Sequence, residues 1–333
     1  MDEPKQTEHG VKSLWNKSFI LLIIVSLITA MSFNMVYVII SKYALEVTTS
    51  LTIAGVIAGI FSISALIIRP IAGVTADTVN KKTLCIIANL LITVALLGYT
   101  FSFNVLFFFR ILHGVAFGIS GTVNIALVTQ YIPKGRIGEG IGYYGLGQVM
   151  AQIISPNLGV YLEEHYGFQL LFLIVTALSF VGVLLLTRLH YANKSIPKAK
   201  SQKKLSFDSL IAKEVIVYAA IGGMFSFGNG IVSSFLVLVA EERKIANIGL
   251  FFSVGAIVLF ILRLFVGKLA DKQGLTLVVN ISLVATALSM VLIGFAPILS
   301  LLLVAAVLKS VGQGGGQISL QAECIKRVDA GRI

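Results

Sequence analysis

The chain has 333 residues, of which 57% are hydrophobic and 12% are charged, and its formal net charge is +11. Because soluble domains contain about 25% charged residues, this composition excludes an ordinary soluble protein and is typical of an integral membrane protein. Its apolar runs are continuous rather than alternating, which excludes a β-barrel and favours membrane-spanning helices.

Ten apolar runs approach or exceed the roughly 20 residues that a helix needs to cross a bilayer. In chain order they cover residues 19–40, 51–72, 83–101, 104–131, 138–162, 168–187, 214–240, 246–266, 276–296 and 298–323. A helix satisfies its own backbone polar groups, as lipid requires. The first run is too long for a signal peptide and lacks a small-residue cleavage site, so we expect it to be retained. The sequence therefore predicts an all-α polytopic membrane protein with ten spans.

The basic residues fall mainly on one side of the predicted spans. If the N-terminus is cytoplasmic, 19 of the 26 Lys and Arg residues lie in cytoplasmic segments, whereas the outer segments hold Lys42, Arg243 and Lys244. This distribution is the positive-inside pattern that orients membrane proteins. We therefore expect a multi-pass protein of the cytoplasmic membrane with both termini in the cytoplasm. The positive charge then gives no indication of a nucleic-acid partner.

The longest polar stretch, residues 188–213, divides the chain after six spans. It is basic and has almost nothing to bury, so it predicts a cytoplasmic linker near anionic headgroups rather than a folded domain. The expected domains are an N-terminal six-helix bundle, residues 1–187, and a C-terminal bundle, residues 214–333, in which four helices are present.

A polar turn after the second span interrupts the apolar pattern. It reads G-x-x-x-D-x-x-x-K-K, and a shorter copy, GKLADKQG, follows the eighth span at an offset of 194 residues. The residues of the two turns are Gly73, Asp77, Lys81 and Lys82, and Gly267 and Asp271. The glycine is expected to allow close helix approach, and the aspartate to pair with a lysine or a helix N-terminus. A simple topology anchor is the alternative.

The two turns resemble the signature loop of the major facilitator superfamily, a transporter family built from parallel six-helix repeats. The fourth span resembles the family as well, because Arg110 is followed four residues later by Gly114. The resemblance runs through almost the whole chain. It implies two bundles, secondary transport of a small molecule by alternating access, and a role for the polar turns as a conformational latch.

The stretch 142–159 resembles the helix-five motif of the drug and proton antiporter branch of this family. Gly142, Pro156 and Gly159 fit that motif, whereas Ala151 and Ser155 stand where it prefers glycine. The resemblance implies efflux, with a proton as the candidate coupling ion. Packing of small residues around a proline explains the pattern about as well.

Arg110 and Lys309 lie within predicted spans, where a charge costs roughly 3 kcal/mol on insertion scales. An offset of 198 residues places Lys309 one residue from the equivalent of Arg110, so both are candidates for a central cavity. His113 lies on a similar helix face to Arg110. In the alternative interpretations Arg110 braces its own bundle, Lys309 reaches toward water, and His113 is a satisfied buried polar group.

None of the 15 acidic residues lies in the middle of a predicted span, so the sequence does not support proton coupling through a central carboxylate. A cavity containing Arg110, Lys309 and His113 should prefer neutral, zwitterionic or anionic small molecules to cations. Further candidates to line it are Asn34, Gln148 and Gln313, and also Asn124, Gln152, Asn229 and Gln317. Each amide could instead make a hydrogen bond between helices.

Motifs for other functions are missing from the sequence. It has no phosphate-binding G-x-x-x-x-G-K-[ST] stretch, no metal-ligand spacing and no spacing of nucleophile and base, so we expect neither an enzyme nor a cofactor or metal.

A passive channel is one alternative to a transporter. Because the family usually has twelve helices, a second alternative is a truncated product that does not transport or that needs a partner.

Overall fold

The computed structural model describes residues 13–101, 103–133, 136–191, 215–317, 319–320 and 323–324, and every regular element in these ranges is helical. The helices are α1 (Lys17–Thr48), α2 (Leu51–Thr78), α3 (Lys81–Gly98), α4 (Phe103–Val128), α5 (137–166), α6 (168–187), α7 (Ile216–Glu242), α8 (Gly249–Gln273), α9 (Leu275–Phe295) and α10 (Leu299–Val311). Helices α5 and α6 are the two arms of the segment Ile137–Thr187. Helix α10 continues as a π-helix over Gly312–Gln317.

A break at Gly167 separates α5 from α6. Its φ of 79° and ψ of 169° lie in a region that is essentially open to glycine alone. Eight described helices are long and apolar enough to cross a membrane, and the segment that contains both α5 and α6 counts as one of them. Helix α8 adds the shorter apolar stretch Gly249–Leu262. The prediction of an all-α membrane protein with about ten helices is therefore confirmed.

The described residues form two compact units. The first contains the described residues within Met1–Ser32, Gly59–Ala151 and Phe172–Lys198, and the second contains those within Phe33–Ala58, Gln152–Leu171 and Ala199–Ile333. The division therefore crosses α1, α2, α5 and α6, and the ends of these four helices group with α7 to α10. Residues 192–214, which include most of the expected linker, lie outside the described part, so the expected division at that linker stays a prediction.

Glycines of α4 allow close helix packing in the first unit. A Cβ atom added at Gly114 would overlap the backbone oxygen of Phe61 and lie 2.9 Å from the Cβ of Ser64, both on α2. At Gly118 the same atom would lie 2.7 Å from the backbone oxygen of Ala65. Small residues in such positions let two helices approach until their backbones touch, which is how helices associate in lipid.

Gly114→Ala is expected to lower the free energy of unfolding by about 1–3 kcal/mol, because the added methyl group would push α2 away from α4. The midpoint of thermal unfolding in detergent measures this effect. Gly121→Ala is the matched control, since it lies on the same helix and its added Cβ meets no atom of the described residues within 4 Å. Equal shifts for the two variants would contradict this packing role.

The second unit contains an arginine that closes the end of α9. The guanidinium group of Arg243 donates hydrogen bonds to the carbonyl oxygens of Ile293 and Ala296, both at 2.8 Å, and of Gly294 at 2.6 Å. The last carbonyl groups of a helix have no partner within the helix, and a basic side chain can satisfy them. Arg243 therefore fixes the α7–α8 turn to the end of α9. We call the end of the second unit that carries the turns at Thr49, Gly167 and Lys244 the Gly167 end.

Candidate functional site

Lys309 is held on α10 by an amide group of α7. Its Nζ atom donates a hydrogen bond of 2.5 Å to Oδ1 of Asn229, and both residues are half-buried. The ion pairs found in the described part of the chain involve other residues, so no carboxylate there neutralises Lys309. A half-buried ammonium group that is compensated only by an amide oxygen can accept an anionic group in its place.

Two glutamines extend this polar surface along α10. Gln313 is half-buried, and Nε2 of Gln317 donates a hydrogen bond of 2.9 Å to Oγ of Ser226 on α7. Because Lys309, Gln313 and Gln317 are each four residues apart, they lie near one face of the helix. We call these three residues, together with Asn229 and Ser226, the α7–α10 polar strip. The structure thus brings together two of the predicted site residues, Lys309 and Gln313, along one helix.

The π-helix between Lys309 and Gln317 consists mainly of glycine. Gly312, Gly314, Gly315 and Gly316 are all buried, and a Cβ atom at Gly314 would lie 3.2 Å from the Cβ of Leu262 on α8. Single π-turns within α-helices occur frequently at functional sites. Here the glycines let α10 pack against its neighbours at the level where its polar residues lie.

Arg110 and His113 meet in a buried cluster of the first unit. Each is 1% exposed, and both contact Tyr99, which follows α3. The hydroxyl group of Tyr99 lies 2.8 Å from Nδ1 of His113 and 3.4 Å from a guanidinium nitrogen of Arg110, whose Cζ atom sits 4.5 Å above the ring centre of Phe61. These contacts join Arg110 and His113 to Tyr99 and Phe61 within the first unit. Tyr99 and Phe61 were not singled out by the sequence, because an aromatic residue in an apolar run carries no distinguishing signal.

The remaining candidate amides are spread over the two units. Asn34 is half-buried on α1, and Gln148 is exposed on α5. Asn124 on α4 contacts Cys85 of α3, with 2.7 Å between Sγ and Oδ1, and its amide donates to Oγ of Ser120 at 3.0 Å. Asn124 thus makes a contact between helices, which was the alternative interpretation for each amide.

The first polar turn fastens two helix ends. Nζ of Lys81 donates to the carbonyl oxygen of Ala76 at 2.7 Å, and Nζ of Lys82 donates to that of Thr187 at 2.8 Å. Both carbonyl groups lie near helix C-termini, where a cation is favourable. A Cβ atom at Gly73 would meet no described atom within 4 Å, so no close approach of another helix is seen there among the described residues. The side chains of Asp77 and Asp271 lie outside the described part of the chain. For Gly267, as for these two residues, the structure describes only a helical backbone.

The residues of the helix-five motif have different surroundings. A Cβ atom at Gly159 would lie 3.0 Å from the Cα atom of Met35, so α1 and α5 pack closely there, whereas one at Gly142 would meet no described atom within 4 Å. Pro156 lies inside the continuous helix α5. Close packing thus accounts for one of the two glycines of the motif.

A cluster of charged residues at the Gly167 end was not predicted. Nζ of Lys42 on α1 lies 2.9 Å from Oε2 of Glu163 on α5 and 3.3 Å from Oε1 of Glu241 on α7. Glu163 is 8% exposed and is the one carboxylate found buried among the described residues. The lone lysine near the end of the first span, and an acidic pair just beyond the predicted fifth span, were the available signals in the sequence.

The comparisons with known proteins agree with one another. The family model of the Major Facilitator Superfamily matches residues 22–333. The multi-drug resistance efflux pump PmrA of Streptococcus pneumoniae serotype 4 is 31% identical over 134 residues, which are 40% of this chain and 33% of PmrA. The PmrA homolog of Lactococcus lactis subsp. lactis is 27% identical over 240 residues, which are 68% of this chain and 59% of that protein. The match thus spans less than two thirds of either relative.

Solved structures show the same fold. A POT family transporter in complex with 5-aminolevulinic acid matches 97% of this chain and 87% of its own, with a TM-score of 0.80 and 14% sequence identity. The nucleoside transporter NupG matches 95% of this chain and 84% of its own, with a TM-score of 0.72 and 18% identity. At these identities the similarity concerns the fold and not the transported molecule.

Proposed function

Since the chain belongs to the major facilitator superfamily, we propose that it is a secondary transporter that exports a small organic solute by alternating access. Membership of this family makes it a multi-pass membrane transporter of small molecules and not an enzyme. The proposal adds the direction, the mechanism and the class of solute.

Two observations support the direction of efflux. Relatives from Streptococcus pneumoniae and Lactococcus lactis are named as multi-drug resistance efflux pumps or their homologs. The helix-five motif with Gly142, Pro156 and Gly159 resembles that of the antiporter branch. The distribution of basic residues further supports a protein of the cell membrane with both termini in the cytoplasm, and in that orientation the Gly167 end faces outward.

The α7–α10 polar strip carries the proposal for the class of solute. Lys309 offers a positive charge whose partner among the described residues is the neutral amide of Asn229, and Gln313 and Gln317 add hydrogen-bonding groups along the same helix. A carboxylate or phosphate of a solute gains a charge-assisted hydrogen bond there. We therefore favour an anionic or zwitterionic solute, with neutral molecules next and lipophilic cations disfavoured.

The two polar turns have a supporting role in this proposal. Lys81 and Lys82 hold the ends of α2 and α6, so the first turn can act as the conformational latch together with Asp77, and Gly267 and Asp271 form its counterpart in the second half. The expected division into two bundles joined by the basic linker 188–213 provides the bodies that move in alternating access.

Counterflow in proteoliposomes tests the proposed function. Vesicles containing the purified protein are loaded with an unlabelled carboxylate-bearing drug or dye, and uptake of the labelled compound is followed from a dilute outer solution. A transporter with alternating access shows saturable uptake that the internal unlabelled compound accelerates, whereas an open channel shows neither property. A panel of anionic, zwitterionic, neutral and cationic compounds then ranks the solute classes. Counterflow of none of these compounds would contradict the proposal.

A further inference from the structure

At the Gly167 end, one lysine is shared by two carboxylates that come from distant parts of the chain. Lys42 lies 2.9 Å from Glu163 and 3.3 Å from Glu241. The side chains of Lys42 and Glu163 are 15% and 8% exposed, whereas that of Glu241 is 56% exposed. The cluster therefore consists of a well-buried ion pair between α1 and α5 and a more accessible carboxylate that α7 adds to it.

Helix α5, which carries Glu163, is also packed tightly against α8. A Cβ atom at Gly249, at the start of α8, would lie 2.5 Å from the Cα atom of Asn157 on α5. One turn further along α8, Oγ of Ser253 donates a hydrogen bond to the carbonyl oxygen of Ile153. At the Gly167 end α5 therefore packs directly against α8, and we call this arrangement closed. If α7 and α8 moved away from α1 and α5, Glu241 would leave and the Lys42–Glu163 pair would remain.

The cluster has one negative charge in excess when the Gly167 end is closed. Besides Lys42 and Glu241, the charged neighbour of Glu163 is Glu164 on α5 itself. The nearby cation Arg243 is bonded to the end of α9, and Lys244 follows it in the turn. His165 is exposed and lies 2.9 Å from the carbonyl oxygen of Tyr161, and Glu46 on α1 is a neighbour of Tyr43. The first turns of α2 and α8 contain no charged residue.

We propose that Lys42, Glu163 and Glu241 form a proton-binding site that is completed when the Gly167 end closes. With that end open, Lys42 and Glu163 neutralise each other. Closing brings a second carboxylate to the same lysine, and two carboxylates that share one site favour retention of a proton between them. The proton comes from the water at the Gly167 end, is held by a carboxylate oxygen of the pair while that end is closed, and returns to the same water when it opens. This proposal rests on the proposed transport function and adds a dependence of its conformational cycle on the pH at the Gly167 end.

The direction of the pH effect follows from proton linkage. Because the closed form binds more protons than the open form, lowering the pH increases the closed fraction, and raising the pH increases the open fraction. If the Gly167 end faces outward, external acid returns the carrier to the form that is closed to the outside. An exporter requires this step after it has released its solute. Such control by pH needs no carboxylate in the middle of a span.

Distance measurements between spin labels test the proposal. Cys85→Ser and Cys324→Ser remove the native thiols, and Val47→Cys on α1 and Ala246→Cys beyond α7 carry the labels, since both positions are exposed. The full chain labelled at positions 47 and 246 is reconstituted in lipid, and its distance distribution is recorded between about pH 5.5 and about pH 8.5. Uptake of a full proton changes the ratio of closed to open forms by up to about tenfold per pH unit. We expect a change of at least about threefold across the range, with short distances favoured at low pH.

Two substitutions remove the excess carboxylate and a third provides the control. Glu241→Gln leaves the Lys42–Glu163 pair and Glu163→Gln leaves the Lys42–Glu241 pair, so each is expected to make the distance distribution independent of pH. Glu242→Gln, at the neighbouring exposed glutamate, is expected to retain the full pH dependence. Because Glu241 is 56% exposed, its substitution is not expected to impair folding, and this variant alone is decisive.

The outcomes separate this proposal from the proposed function. A distance distribution that does not respond to pH in the parent chain overturns the proton site, as does an undiminished response in Glu241→Gln. Counterflow is measured on the same variants, because exchange of solute does not require a proton gradient. Counterflow without a pH response supports the transport function and contradicts the proton site. A pH response without counterflow of any compound contradicts the transport function.

Discussion

Arg110→Ala is expected to lower the free energy of unfolding of the protein by about 3–5 kcal/mol, the range for large side chains truncated in a packed interior. Arg110 is 1% exposed and is among the largest fully buried side chains of the described residues. The substitution leaves a cavity between Phe61 and Tyr99 and removes both the cation–π contact and the hydrogen bond that hold the guanidinium group. The midpoint of unfolding in detergent is the measurement.

Arg110→Met is the matched variant, because methionine fills much of the same space without the charge. Replacing a buried charge by an apolar residue of similar size is often neutral or stabilising. We therefore expect Arg110→Met to unfold near the parent temperature and to retain counterflow. A stable Arg110→Met protein without counterflow would instead place Arg110 in the transport pathway, as the sequence alone allowed. Comparing the two variants thus separates the bracing role from a direct role in transport.

Lys309→Met is expected to reduce the affinity for an anionic solute by roughly 10- to 150-fold, which corresponds to the 1.5–3 kcal/mol typical of a hydrogen bond to a charged group. The side chains are similar in length, so the substitution removes the charge and little volume. Affinity is measured from the concentration dependence of counterflow for a carboxylate-bearing compound, with a neutral compound in parallel. A similar loss for both compounds would indicate that Lys309 supports the helix and does not bind the anion.

Asn229→Asp provides an independent check of the same site. It gives Lys309 a carboxylate partner at the position of the present amide, 2.5 Å from Nζ in the structure. The charge that attracts an anionic solute is then neutralised although Lys309 is still present. We expect reduced affinity for anions together with undiminished thermal stability. Unchanged anion affinity in this variant would argue against the α7–α10 polar strip as the solute site.

The sequence predicted the helices well because each span is defined by its own local composition. The gap between the predicted spans 138–162 and 168–187 coincides with the break at Gly167, which reflects the short polar interruption before that glycine. The positions of the long spans follow from the thickness of a bilayer, which imposes a length on every apolar run. For the same reason the approximate number of ten helices required no knowledge of how the helices pack.

The contacts between spans were less accessible to prediction. Lys42 and Glu163 are separated by 121 positions, and their pairing depends on how α1 and α5 are turned about their axes. The sequence predicted that Arg110 and His113 would lie together, because they are one helical turn apart, but it gave no reason to select Tyr99 as the residue that joins them. At Gly73 the motif predicted a close approach between helices that is not found among the described residues. A motif thus identified a segment more reliably than it identified the partner of each residue.

The π-helix of α10 has a consequence for the comparison of this chain with its relatives. A π-turn accommodates one residue more than the α-helical path would need, and the backbone is helical again at Ser319 and Leu320. Loss of one of the three consecutive glycines, Gly314 to Gly316, would let the helix continue without the bulge and leave both flanks in phase. Without the bulge, an extra residue would rotate everything after it by about 100°. An alignment that forbids a single-residue gap within Gly312–Gln317 would therefore match the wrong residues on one side of this segment. The counterpart of Lys309 in another protein has to be assigned by its position on the helix face.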